Sequence, residues 1–406
     1  MHTFVKKSGI HWGWWIVLVS FIANFMIFGA RHAFGVFVLP ISEELGWSRG
    51  QISSVFTVMM IVHGLGSIPF GRWTDKYSPH LTMSIAALIG FAGYALASAA
   101  QYLWQIFLTY GLFFGIGQAG IYVPSATTVR RWFDKKVGLA MGLTVAAIGA
   151  GGFFLAPFTK VLIEQAGWRY AFLITGLLGL ITVVPTSFLV MRSDPAAAGL
   201  QPYGYNGEAK NEKENGITHY RDVFRQPCYW LISLSFGLAV TGVYTVSTHI
   251  VALARHIGFS DATGTMALGL IAVSSFLGRI VMGFCSDYIG CSRALRIALS
   301  TEVLAGVILF FVNTPLELMI FSVIIGFGYG SFVPLFPALI GEMFGNKDLS
   351  FIFGIANSFT GVGAGLGTLA AGVIFDVFHS YFYALVMILA CFAASLILAF
   401  TVKGEY

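Results

Sequence analysis

One arginine stands where charge is expensive. Arg279 is flanked by "LGLIAVSSFLG" upstream and "IVMGFC" downstream, and the next acid along is Asp287. Eight residues of helix span roughly 12 Å. An arginine at that depth costs at least about 2.5 kcal/mol to insert into a bilayer and does not shed its proton. It needs water, an anion or a partner acid. A guanidinium meets a carboxylate through two parallel hydrogen bonds, so Arg279 reads as the anchor of an anionic substrate. The competing reading is a structural ion pair, for which Glu302 is the one obvious acid.

Other polar groups in apolar sequence can complete such a site. Tyr122 and Tyr329 offer phenol hydrogen bonds, and Asn357 and Ser358 can do the same. Arg31, about nine residues before Pro40, is a second cation inside a greasy run, placed either to draw anions into an outward cavity or to make two cationic points with Arg279, as a dicarboxylate site would want. His249, His63 and His32 are candidates to carry a proton, because imidazole titrates near neutral pH. His249 is the expected carrier, and it is also expected to touch substrate. Cys228, Cys285, Cys291 and Cys391 show no metal-ligand spacing. Neither Gly-x-Ser-x-Gly nor His-Glu-x-x-His occurs, which argues against a membrane enzyme. No metal or cofactor is expected.

The elements that must position these residues are legible from composition. The chain is 57% hydrophobic and 10% charged, where a soluble domain carries about a quarter charged residues. Apolar runs long enough to span a bilayer recur at 14–39, 50–72, 80–100, 103–128, 136–163, 168–191, 227–255, 262–285, 292–312, 316–342, 349–374 and 380–401. The first follows "MHTFVKK" and is too long for a signal-peptide core, so it reads as a retained helix. The net charge of +5 does not point to nucleic acid. If the helices alternate, Lys6, Lys7, Arg72, Lys76, Arg130, Arg131, Lys135, Lys136, Arg192, Arg221, Arg225, Arg293 and Arg296 share one side, whereas Arg49, Lys160, Arg169 and Arg255 share the other. Positive charge stays inside. Both termini are therefore expected in the cytoplasm, in an inner-membrane protein whose environment is the lipid bilayer.

Residues 192–222 interrupt the pattern with nine charged residues, Pro and Gly, and read as a cytoplasmic linker. It separates an N-terminal six-helix bundle (1–191) from a C-terminal one (223–406). The halves repeat at an offset of about 212. "GRWTDKYSPH" aligns with "GFCSDYIGCS", so Gly71 matches Gly283 and Asp75 matches Asp287, while Gly142, Gly149 and Gly151 match Gly354, Gly361 and Gly363. Two parallel six-helix repeats with a substrate held between them are the plan of major facilitator transporters. Gly71, Asp75, Gly283 and Asp287 then form paired gating motifs, each carboxylate free to meet an arginine or a helix N-terminus. The motif's usual second glycine is Ser78 in the first copy and Gly290 in the second. The glycines from 149 to 151 and from 361 to 367 read as helix-packing positions.

Three segments carry a closer resemblance. "HWGWWIV" at 11–17 resembles the entry to helix one in monocarboxylate transporters. "RRWFDKKVGLAMGLTVAAIGAGG" at 130–152 resembles that family's signature from loop four into helix five. "GRIVMGFCSDYIG" resembles helix eight of the same family and of oxalate–formate exchangers, with the arginine at Arg279. The resemblance covers all twelve helices. It implies an all-α major facilitator fold, a small monocarboxylate such as lactate or pyruvate as substrate, and a proton as co-substrate, with anion exchange as the alternative. It also places Tyr122 and Tyr329 at site-lining positions. Eukaryotic members carry a lysine on helix one and an aspartate four residues before the arginine, where this chain has Val36 and Ser275. The exchangers carry a second cation on helix eleven, where Ala356 or Asn357 stands, and that loss favours a substrate with one carboxylate.

Overall fold

A computed structural model describes residues 10–205 and 220–401 of the chain. Twelve long helices cross in it. The first four are α1 (Trp12–Leu45), α2 (Arg49–Lys76), α3 (Pro79–Leu96) and α4 (Leu103–Arg131). Val137–Val190 follows as one continuous rod except at Gly167, whose φ of 85° and ψ of 163° break it into α5 (137–166) and α6 (168–190). That left-handed φ is one an L side chain rarely adopts, so the glycine is what turns the chain back. The second half contains α7 (Pro227–Ile257), α8 (Asp261–Ile289), α9 (Cys291–Leu309), α10 (Pro315–Phe344), α11 (Leu349–Phe378) and α12 (Phe382–Thr401). Of these, α9 is the least apolar, because Arg293, Arg296 and Glu302 all lie on it.

The ends of the helices follow local chemistry. Ser48 and Gln51 form a reciprocal capping box at the start of α2, and Thr314 with Glu317 does the same for α10, with Pro315 in the first turn. Ser260 caps α8. At the other end of α8, Gly290 adopts φ 85°. Its counterpart Ser78 has φ 169°, which is extended backbone open to any residue. The first copy of the motif therefore has no conformational need for a second glycine.

The helices form two bundles that meet along two seams, α2 against α11 and α5 against α8. The repeat explains the seams. A Cβ on Gly142 would run into the Arg279 carbonyl and lie 3.4 Å from Gly283 Cα; a Cβ on Gly354 would run into the Ser67 carbonyl and lie 3.6 Å from Gly71 Cα. Gly142 thus meets Gly283 across one seam, and their repeat counterparts Gly354 and Gly71 meet across the other. Gly361 faces Gly64 in the α2–α11 seam, and Gly151 faces Gly29 between α5 and α1. Gly365 stands apart, with open space where its Cβ would be.

The stretch read as a linker is not free along its whole length. Tyr203 donates its N–H to the Trp132 carbonyl and its own carbonyl accepts from Asp134, while Trp132 Nε1 donates to the Arg192 carbonyl. His11 Nε2 lies 2.9 Å from the Gln201 carbonyl. These bonds tie 192–203 to the loop between α4 and α5 and to the start of α1. The most polar part, 206–219, lies outside the described residues.

Candidate functional site

Arg279 is 1% exposed, on the face of α8 that meets α5 and α10. Its guanidinium carbon lies 5.1 Å from the centre of the Tyr329 ring on α10. Nη1 donates to Ser275 Oγ at 3.2 Å, one turn back on the same helix. Nε has no partner. Room for the group comes from α5, where a side chain on Gly149 would put its Cβ 2.9 Å from Nη1. No ion pair joins Arg279 to Glu302 or to any other acid among the described residues. Glu302 is fully buried on α9 against Gly328, and neither carboxyl oxygen has a partner.

The opposite bundle brings a second cation to the same place. Arg31 on α1 is 2% exposed. Its guanidinium carbon lies 4.5 Å from the Phe28 ring centre and 5.4 Å from that of Tyr244 on α7. Nη2 is 3.3 Å from Nε2 of His32, and Nε is unpartnered. Tyr244 in turn stands edge-on to Tyr329, with centres 6.3 Å apart. The two cations are therefore linked ring by ring: Arg31, Tyr244, Tyr329, Arg279. Tyr122 packs edge-on against Phe28 at 5.5 Å, and its hydroxyl has no partner. His63 sits 6.4 Å from both Phe28 and Tyr122, with Nδ1 unpartnered. His32 is exposed on the wall beside Gly152.

The structure does not bring every candidate residue here. His249 lies on a different face of α7. Five residues separate it from Tyr244, about 140° around the helix. It is engaged by the Thr368 carbonyl at 3.1 Å and the Tyr381 hydroxyl at 3.4 Å, between α7, α11 and α12. Its expected contact with substrate beside Arg279 is corrected by this placement. Asn357 Nδ2 donates to Ser67 Oγ at 2.9 Å across the α2–α11 seam, and Ser358 Oγ donates to its own helix at the Ile355 carbonyl. Both are occupied in helix packing. Tyr244 was not singled out in the sequence. The available signal was a lone phenol in an apolar run, which needs a polar partner once buried.

The C-terminal turns of α2 and α8 form a second constellation, at one end of the molecule. Asp75 accepts hydrogen bonds from Arg131 and from the backbone N–H groups of Ser350, at 3.3 Å, and Phe351, at 2.8 Å. Asp287 accepts from the N–H groups of Gly138, at 2.7 Å, and Leu139, at 3.0 Å. Each carboxylate caps the first turn of a helix in the opposite bundle, where unpaired N–H groups and the helix dipole favour negative charge. Gly71 and Gly283 permit the approach. A Cβ on either would strike the facing backbone, at Ser350 and at Gly138. The two motifs therefore clasp the bundles shut at this end.

Two six-helix bundles, joined at one end around a cluster of buried polar groups, are the arrangement of major facilitator membrane transporters. The sequence pattern of the Major Facilitator Superfamily matches residues 20–300 and 232–405. The chain belongs to that superfamily. It is 25% identical over 376 residues to monocarboxylate transporter 13 of Bos taurus, covering 91% of this chain and 84% of that protein. Human monocarboxylate transporter 14 is also 25% identical, with 91% of this chain and 86% of that protein covered. Among solved structures, the major facilitator transporter FucP in its outward conformation superposes with a TM-score of 0.72 at 14% identity, over 95% of this chain and 98% of that one. These relatives are transporters, not enzymes.

Proposed function

We propose that the chain carries small carboxylates across the membrane by alternating access, with Arg279 as the principal anchor. One observation carries this reading. Arg279 Nε, Arg31 Nε, the Tyr122 hydroxyl and His63 Nδ1 are buried polar atoms without partners, and the rings between them join the groups into one cluster at the bundle interface. Buried polar groups are ordinarily satisfied, and a carboxylate supplies the acceptors that two guanidinium groups and a phenol need. The names of the relatives support monocarboxylates as cargo. The motif end is the cytoplasmic one on the charge rule, so the latched state is closed to the cytoplasm. The bundles run 1–191 and 223–406 on either side of the 192–222 linker, in the inner membrane with both termini inside.

In the symport reading the imidazole within the cluster, His63, takes the proton, in place of His249. Both His63 and Arg31 pack on Phe28. A bound carboxylate offsets the repulsion between a protonated imidazole and Arg31, so anion and proton favour each other's binding, as a symporter requires. The absence of any acid paired to Arg31 or Arg279 among the described residues supports a second reading, obligatory anion exchange. Two unneutralised cations resist enclosure in a low-dielectric interface unless an anion travels with them.

Purified protein in liposomes tests both. Acetate- to lactate-sized anions should compete for saturable uptake, and their neutral amides should not. Efficient competition by a sugar would reject the carboxylate reading. Accumulation driven by an imposed pH gradient identifies symport; uptake only against a preloaded anion identifies exchange.

A further inference from the structure

We propose that Arg31 is a second anchoring cation of this site, and that the acids bound best carry two anionic ends, one on Arg279 and one on Arg31. The proposal rests on the carboxylate reading above and, within it, sets dianions ahead of the monocarboxylates that the relatives' names suggest. Both guanidinium groups are at least 98% buried, both keep an unpartnered Nε, and neither is ion-paired among the described residues. They come from opposite bundles, and Tyr244 and Tyr329 connect them.

What surrounds each cation offsets its charge without cancelling it. Arg31 has the faces of Phe28 and Tyr244, the Met60 sulfur and His32. Arg279 has the face of Tyr329 and the Ser275 hydroxyl. Ring faces and a neutral hydroxyl attract a cation, but they bring no negative charge. The position one turn before Arg279 is decisive. An aspartate there would neutralise the guanidinium and leave one free cation for a one-charge substrate. Ser275 accepts a hydrogen bond and leaves both charges standing. A dianion is the cargo that balances them.

The geometry also gives a dianion a mechanical role. A monoanion on Arg279 touches the C-terminal bundle's cation alone. An acid held at both ends spans the interface and pulls α1 toward α8, which couples binding to closure. From the sequence, Arg31 with Arg279 as two cationic points stands against the missing α11 cation, and that loss favours a single carboxylate. Asn357 on α11 is committed to Ser67, and α1 supplies the charge instead.

The test compares matched acids on the purified full-length protein, by calorimetry at pH 7.5, where simple carboxylic acids are ionised. Propionate and butyrate are measured against malonate and succinate. The better dicarboxylate should bind at least about tenfold more tightly than the monocarboxylate of equal length, as fits one added charge pair in a desolvated site. Arg31→Gln should cut that preference by about tenfold. Arg31→Lys, which keeps the charge and serves if the Gln variant does not fold, should keep part of it. Equal affinity for the two series in the wild type would overturn the proposal. So would an Arg31 variant that weakens both series by the same factor, or a stoichiometry of two monoanions per chain. If Arg279→Gln leaves both series unchanged, it is the carboxylate reading itself that fails.

Discussion

The latch and the mid-depth cluster both contain charged side chains away from bulk water, and they treat those charges in opposite ways. At the latch, both oxygens of Asp75 are used, by Arg131 and by two backbone N–H groups, and both oxygens of Asp287 are used by two more. In the cluster, the nitrogens of Arg31 and Arg279 that lack partners face only rings and neutral groups. A satisfied carboxylate at a helix end holds two bodies together, and its removal loosens them. A buried guanidinium with unused donors holds little by itself and is available to something that arrives. The same bundles can therefore be clasped firmly at one end and receptive in the middle.

Removing the central anchor should break this contrast most sharply. Arg279→Gln should lower carboxylate affinity by about a hundredfold or more, the range for truncating one side of a buried charge pair. It should leave the folded state in place, because no protein carboxylate is orphaned. Arg279→Lys should recover little, since a point donor does not replace a two-pronged one. Binding calorimetry and thermal unfolding on the same samples check it, and near-normal binding by Arg279→Gln would place the site elsewhere.

The next effect separates the histidines. His63→Gln keeps a hydrogen-bonding group but does not titrate, so it should retain counterflow and lose accumulation driven by a pH gradient. Gradient-driven accumulation at the wild-type level in this variant would remove His63 from the proton path.

The latch should respond unequally. Asp75→Asn loses the ion pair with Arg131 and weakens two helix-capping bonds, whereas Asp287→Asn weakens capping bonds alone and is the more exposed. A cost of about 1–3 kcal/mol is expected for the first and about 1 kcal/mol for the second. Each should raise the labelling rate of a cysteine placed at Ser350 or Leu139. An equal rise in both would show that Arg131 adds nothing to the first motif.

The smallest effect is expected from His249→Gln. Glutamine can still donate to the Thr368 carbonyl and meet the Tyr381 hydroxyl, so counterflow and gradient-driven uptake should both stay within about twofold of wild type, as for substitutions away from the site. Loss of gradient coupling alone would restore His249 as the proton carrier.

How much of this was legible beforehand depended on the range of the physics involved. Helix number followed from runs of apolar residues, because a bilayer about 30 Å thick demands about twenty of them whatever the rest of the chain does. The glycine matches at an offset of 212 reported the two seams, since a duplicated close contact leaves the same small residue twice. Arg279 stood out because a permanent charge in an apolar run is costly wherever that run packs. Facing and partnership were not local in this sense. Nothing near Asp75 in the chain names Ser350 and Phe351 as its receivers. Nothing near His249 says that it turns toward Tyr381 while Tyr244, on the same helix, turns toward Arg31. Those outcomes depend on helix rotation within each bundle and on which bundle face meets the other. Packing between residues distant in the chain sets that rotation. For the same reason the sequence by itself determined that a permanent cation lies in an apolar run at Arg279, and only the tertiary structure decided that Arg31 of the other bundle is joined to it through Tyr244 and Tyr329.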